Sequence, residues 1–139
     1  MSSLILKDAR IEVNSVVVSS FGNSVNLDLV KEEQEDTAFG DNARARMAGL
    51  EDPSLSVNFN QDFAASATDA TCWAAWSAGS VVTCKIRPTS SAISAANPEY
   101  VGGFLPSKYS PFGNSVGDAA KASIQWPYGS GTSIARNTS

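Results

Sequence analysis

The sequence predicts a mainly β domain, two packed antiparallel sheets forming a sandwich or partly open barrel with one flanking α-helix. Three observations lead there. Apolar and polar residues alternate with period two in several short segments, which puts one face of each strand in a core and the other outside. Loops rich in Gly, Ser, Asn and Pro separate those segments. Only one stretch, about 67–78, carries helix signals.

Taken in order, Ala9–Val13 alternates Ile11 and Val13 against Arg10 and Glu12, and Asn14–Ser15 supplies a turn into Val16–Val18. Val25, Leu27 and Leu29 alternate with Asn26 and Asp28, in a strand read as running to Glu33. Leu55, Val57 and Phe59 alternate with Ser56, Asn58 and Asn60, and Val82, Cys84 and Ile86 with Thr83, Lys85 and Arg87. Tyr100–Leu105 and Ala122–Trp126 complete the set.

Helix 67–78 has a weak capping pair in Ser66 and Asp69, and Gly79 stands where a left-handed terminating residue belongs. Trp73 and Trp76 lie one turn apart and share a face. The expectation is that both pack the helix onto the sheets; a ligand-stacking platform is the alternative.

Residues 35–53 break the alternation and read as a long, charged loop, of the kind that is functional or disordered in a compact domain. The pentapeptide Phe-Gly-Asn-Ser-Val occurs at 21–25 and again at 112–116, each time before an expected strand, which fits two similar hairpin turns.

The 139 residues fit a single domain, 1–139, and at 42% hydrophobic residues they can build a core without metals or disulfides. The longest apolar run, Cys72–Trp76, is far too short to span a bilayer, and Leu4–Leu6 is too short for a signal-peptide core. The chain is therefore expected to be made in the cytoplasm, with no membrane partner. Cys72 and Cys84 read as buried, reduced side chains or as a bridged pair. Net charge is −4, unevenly placed: ten acids against five bases in 1–52, four against five in 53–139. With no Lys/Arg cluster the chain is poorly suited to gripping nucleic acid.

Chemistry is conspicuous by what is missing. There is no histidine, which removes Ser-His-Asp and Cys-His nucleophilic sites and the commonest metal ligand. No zinc-type cysteine pair, calcium loop, dinucleotide loop or phosphate loop is present. No catalytic residue, cofactor or metal is expected. Glu32, Glu33, Glu35 and Asp36 could in principle form an acid–base pair, but crowded carboxylates are ordinarily a solvated edge, and nothing nearby drives their environments apart.

Within 35–53 the order Asp36-Thr37-Ala38-Phe39-Gly40-Asp41, Arg44, Arg46, Gly49-Leu50 resembles a segment of the major tail-tube proteins of long, non-contractile-tailed bacteriophages (the siphophage tail-tube family). A Ser-rich alternating strand follows in both, here Ser54–Asn60. The resemblance continues through Gln61-Asp62-Phe63, the tryptophan helix, Lys85-Ile86-Arg87-Pro88, Asn97-Pro98, Gly117-Asp118 and Ile124-Gln125-Trp126-Pro127, covering about 9–136. Trp76 departs from it, standing where the family has an aliphatic residue.

The resemblance implies a structural subunit rather than an enzyme. Such subunits form hexameric rings, one sheet of each joining a continuous inner barrel, and the rings stack into a tube that delivers DNA. Its partners would be its own copies, the tape measure, distal tail and terminator proteins, and DNA in non-sticky passage. Its location would be the virion tail. The 35–53 loop would bridge subunits through Asp36, Thr37, Phe39, Gly40, Asp41, Arg44, Arg46, Gly49 and Leu50, with Phe39 as apolar anchor and the arginines pairing across the interface; plain solvent exposure is the alternative for the arginines. Asp28, Glu32, Glu33 and Glu35 are the candidates for an acidic lumen that repels DNA, against the reading that they serve only solubility. Competing functions are a capsid decoration or tail-terminator subunit, and a carbohydrate-binding sandwich, which should display aromatics on a strand face.

Overall fold

The computed structural model describes residues 5–65 and 67–139. The chain runs β1 (Arg10–Val13), β2 (Val16–Val17), a 3-10 turn (Ser19–Phe21), β3 (Gly22–Asp28), β4 (Lys31–Glu35), β5 (Arg46–Glu51), β6 (Ser54–Asn60), α1 (Thr68–Ala78), β7 (Val82–Arg87), β8 (Glu99–Phe104), β9 (Tyr109–Ser110), β10 (Lys121–Pro127) and β11 (Ala135–Asn137). Three antiparallel sheets result: β11-β8-β7-β1-β2, β3-β6-β10-β9, and the separate pair β4-β5.

The first two sheets face each other, and the period-two residues meet between them. Ile11, Val13, Val82, Cys84 and Phe104 come from one, and Leu55, Val57, Phe59, Ala122, Ile124 and Trp126 from the other, all buried in one cluster. Register follows the alternation, with Val25 opposite Val57, Leu27 opposite Leu55, and Ile124 opposite Val57 on the other side. Slipping any of these strands by one residue would expose its whole apolar set. Asn14 and Ser15 have positive φ, the backbone a two-residue hairpin turn requires.

Several expectations are corrected. The strand read as Val25–Glu33 is two strands: β3 leaves its sheet after Asp28, Leu29 and Val30 are exposed, and β4 starts a new pair. Residues 35–53 are not one loop. Arg46–Glu51 within them is β5, paired with β4 (Lys31–Glu35) in a hairpin whose irregular tip is 36–45. A ribbon wet on both faces has no side to bury, so it needs no alternation and gives no period-two signal. Of the two Phe-Gly-Asn-Ser-Val copies, the first enters β3, but the second lies in an exposed irregular segment well before β10.

Helix α1 covers one flank of the sandwich and ends at Gly79 with φ 68°, in the left-handed region. Ala67 precedes its first turn with no side-chain cap; Ser66, the expected cap, lies outside the described residues. The two tryptophans do not pack the helix onto the sheets. Its buried residues are Thr68, Thr71, Cys72 and Ala75, spaced as one helical face. Trp73 and Trp76 fall roughly a quarter-turn or more off that face, at 56% and 45% exposure. The aromatic spacing was helical, but small residues supply the packed face. No helix among the described residues is long and apolar enough to cross a membrane.

Candidate assembly surfaces

The β4-β5 hairpin forms an arm whose strands, among the described residues, pair only with each other. Its tip is built by the run from Asp36 to Asp41. Asp41 Oδ2 accepts a hydrogen bond from Ala38 N at 2.8 Å, and Asp41 N donates to Ala38 O at 3.2 Å. Gly40 between them has φ 96°, which a side chain would strain. Thr37 Oγ1 accepts from Ala45 N at 2.9 Å, and Asp36 N donates to Ala45 O at 2.7 Å, closing the neck. Phe39 is left fully exposed at the apex. Thr37, Gly40 and Asp41 thus shape the tip, and Phe39 is what it presents.

Further down, Arg44 Nη1 meets Glu35 Oε1 at 2.9 Å and Arg46 Nε lies 3.8 Å from Glu33 Oε2, all four side chains exposed. Both arginines therefore have partners in their own hairpin, where such pairs contribute about 0–1 kcal/mol; a partner in another chain would have to displace them. Gly49 lies at a bulge in β5, where Gly49 and Leu50 stand opposite Glu32 alone: a Cβ there would meet Glu32 Cβ at 3.2 Å and Glu32 O at 3.3 Å. Leu50 and Met47 are exposed beside it. With Phe39 at the apex and Leu29 and Val30 at the root, the arm carries five exposed large apolar residues, which makes it a candidate interaction surface.

The second surface is the outer face of β3-β6-β10-β9. By alternation it presents Ser24, Asn26 and Asp28 from β3, Ser54, Ser56, Asn58 and Asn60 from β6, and Lys121, Ser123 and Gln125 from β10. Asn58 Nδ2 donates to Ser24 Oγ at 2.8 Å, and Lys121 Nζ to Asn60 Oδ1 at 2.7 Å. Lys108 Nζ reaches the same face, donating to Gln125 Oε1 at 3.3 Å, so this is a hydroxyl-and-amide face whose charges are Asp28, Lys108 and Lys121. The expected acidic group is split: Asp28 lies here, while Glu32, Glu33 and Glu35 lie on the arm. The Ser/Asn run on alternate residues of 54–60 was visible in the sequence as the polar half of a strand pattern; its extension across two neighbouring strands needed the register.

A third, aromatic surface lies on the α1 side. Trp73 stacks on Trp76, and Phe63 stacks on Phe112 at 5.7 Å. Tyr109 joins these neighbourhoods: its hydroxyl donates to Asp69 Oδ1 at 2.8 Å and accepts from Gln61 Nε2 at 3.1 Å, while Gln61 Nε2 also donates to Pro111 O at 2.9 Å. Burial raises the Tyr109 hydroxyl above its ordinary range, with the Asp69 contact adding to it and the Gln61 bond opposing. Cys72 and Cys84 are free and buried, and burial pushes both thiols up to about 12, with the Asp69 charge adding for Cys72 and Cys72 adding for Cys84. Among the described residues no cluster of three or more His, Cys, Asp or Glu could hold a metal ion.

A two-sheet sandwich with a flanking helix and a free-standing hairpin arm defines the class of fold. No protein-family model matches the chain, and no curated protein does. Solved structures do. A chain of the virion of a native gene transfer agent particle superposes with a TM-score of 0.76 at 13% identity, over 97% of this chain and 99% of that one. A chain from the tail of an empty gene transfer agent particle, computed with C6 symmetry, gives 0.68 at 12% identity over 87% and 86%. One from the sheath/tube terminator of an extracellular contractile injection system in its extended state gives 0.71 at 14% identity over 99% and 98%. At these identities the likeness establishes a shared fold.

Proposed function

We propose that this chain is a structural, non-catalytic subunit of a hollow tail tube, of the long non-contractile bacteriophage kind. The observation that supports the reading is the four-stranded sheet, whose outer strands β3 and β9 have no partner on their free sides among the described residues and whose outer face is polar with few charges. Unpaired edges invite further strands. Joining β3 of one copy to β9 of the next round a ring satisfies both edges and closes the sheet into a barrel, with the Ser/Asn/Gln face inside. Six copies make the ring, in keeping with the resemblance and with the sixfold symmetry of the gene transfer agent tail. The arm reaches the next ring through Asp36, Thr37, Phe39, Gly40, Asp41, Arg44, Arg46, Gly49 and Leu50. That contact is head-to-tail and does not close, so it propagates a filament. Tape measure, distal tail and terminator proteins complete the tail, through which double-stranded DNA passes.

The terminator likeness favours one second reading, a subunit that caps a tube. The bare outer faces of the sheets give no aromatic platform for a carbohydrate-binding module. Negative-stain microscopy of the purified chain at rising concentration separates the three: long hollow tubes are expected, single closed rings would point to a terminator, and a monomer at every concentration would overturn the tube.

A further inference from the structure

The two sides of the four-stranded sheet are unlike. On the β9 side the sandwich is closed by α1, tied there by the Tyr109–Asp69 hydrogen bond. Asp69, Trp73 and Trp76 follow one another at i, i+4 and i+7, so the stripe above that bond is aromatic, and it is exposed. On the β3 side a groove of about 290 Å³ lies between the sheets, walled chiefly by apolar Val25, Leu27, Leu29, Ile86 and Tyr100, with Leu6 before β1 and Arg87 also on its wall. Among the described residues both features leave apolar surface uncovered. Neither can cover the other within one chain, because they lie at opposite edges of the same sheet.

We propose that the Trp73–Trp76 stripe of one copy docks into the β3-side groove of the next copy in the ring. The inference rests on the tube reading, which pairs β9 of one copy with β3 of its neighbour and so brings these two features to the same junction. The occupant is a second copy of this chain because it supplies a knob and a groove that differ, which is what a heterologous, ring-closing contact needs. Tryptophan is enriched among residues that dominate binding at interface centres. Two indoles stacked on each other are held in place before they bind, so little side-chain freedom remains to be lost. The groove, with Leu29 at its lip, supplies the desolvated wall. Trp76, the residue that departs from the resembled family, then has an assembly role.

Cross-linking tests the contact. A Trp76→Cys/Leu29→Cys double variant, oxidised after assembly, should give a ladder of covalent oligomers on a non-reducing gel, and neither single variant should. A Trp73→Ser/Trp76→Ser variant should keep its fold, because both rings are exposed, and should raise the concentration at which tubes appear by about tenfold or more. Tubes that form from the double-cysteine variant without a ladder, together with Ser variants that assemble as wild type does, would overturn the docking while leaving the tube reading intact. A wild-type chain that makes neither rings nor tubes would remove the tube reading, and the docking with it.

Discussion

Trp73 and Trp76 stack with ring centroids 5.4 Å apart and planes inclined by 29°, on the solvent side of α1. Trp126 is the opposite case, buried between the sheets with its Nε1 donating to Lys108 O at 2.9 Å. The two sites should respond differently to truncation. Trp73→Ala forfeits chiefly the ring pair, and should cost the dissociated chain about 1 kcal/mol. Trp126→Ala leaves a cavity in the core and should cost about 3–5 kcal/mol. Urea unfolding of the two variants measures the difference. A loss of about 3 kcal/mol at Trp73 would mean that α1 buries the other face.

The arm should be separable from the fold. Its strands pair only with each other, and its tip hydrogen bonds are all local. Phe39→Ser should leave the urea midpoint unchanged and prevent tube growth. Removing residues 38–44 should do the same, with the β-type circular dichroism retained. If either change unfolded the chain, the arm would belong to the core.

How far the sequence reveals this arrangement depends on what each residue is set against. Strands with one face in the core, such as 54–60 and 82–87, declare themselves by alternation. So does the turn at Asn14–Ser15, because those residue types tolerate positive φ. The arm is invisible to that logic: Lys31–Glu35 has no apolar residue, and it is held by its backbone ladder and exposed ion pairs, neither of which leaves a period-two apolar pattern. Strands β9 and β11 are too short to carry a period. The Thr-x-Phe-Gly-Asp run did mark the arm's tip, since Gly40 and Asp41 are needed to shape it. For the tryptophans, spacing fixed a shared stripe but not its direction, which was decided by Cys72 and Ala75 packing on the sheets. The four acidic candidates do not share one surface, because charge summed over 1–52 ignores that the chain leaves its sheet at Leu29, with Asp28 in β3 and the three glutamates in β4.

Asn97 is a buried polar residue that organises the loop between β7 and β8. Its Nδ2 donates to Ser91 O at 2.9 Å and Ala92 O at 3.1 Å, and its Oδ1 accepts from Thr89 N at 3.1 Å. Beside it, Arg87 Nε lies 2.8 Å from Glu99 Oε2, close enough for an ion pair although the N–H is not aimed along a hydrogen bond. Asn97→Ala should strand several of these partners and destabilise the chain by about 2–3 kcal/mol. Asn97→Asp, which keeps the acceptor and loses the donors, should also destabilise it. A neutral outcome for both would mean that water replaces the side chain.

Stability should fall in alkaline solution. The unfolded chain ionises Cys72 and Cys84 near 9.0, whereas the folded chain holds both protons to about 12. Above pH 9 the unfolded state has therefore shed protons that the folded state keeps, and ionisation pulls the equilibrium towards unfolding. The slope is at most about 1.4 kcal/mol per pH unit for each thiol, and below the unfolded value the effect vanishes. Urea midpoints at about pH 8 and about pH 10.5 measure it. A Cys72→Ala/Cys84→Ala variant, weaker at the lower pH, should lose less between the two. An unchanged difference would assign the alkaline loss to other groups, Tyr109 among them.

The last prediction concerns passage through the tube. Phosphates bind cations with release of counterions, so a lumen that lets DNA slide should hold few cations free to pair with them. Repulsion by carboxylates is one way to achieve this; a neutral hydrated face is another. The outer face of β3-β6-β10-β9 is nearer the second kind: hydroxyls and amides dominate it, and its two ammonium groups, on Lys108 and Lys121, each donate to a side-chain amide oxygen, with Asp28 the one carboxylate among the residues named. If that face lines the channel, genome ejection by the wild-type tail should depend only weakly on salt. Ser56→Lys, at the middle of β6, would add one cation per subunit to the wall. It should leave assembly intact and slow ejection, most of all at low ionic strength, where screening is weakest. Glu33→Lys on the arm should instead cost the Arg46 pair and affect growth of the tube, not transit. Timed ejection at two salt concentrations decides between the faces: a Ser56→Lys tail that ejects at the wild-type rate in low salt would mean that this sheet faces outward.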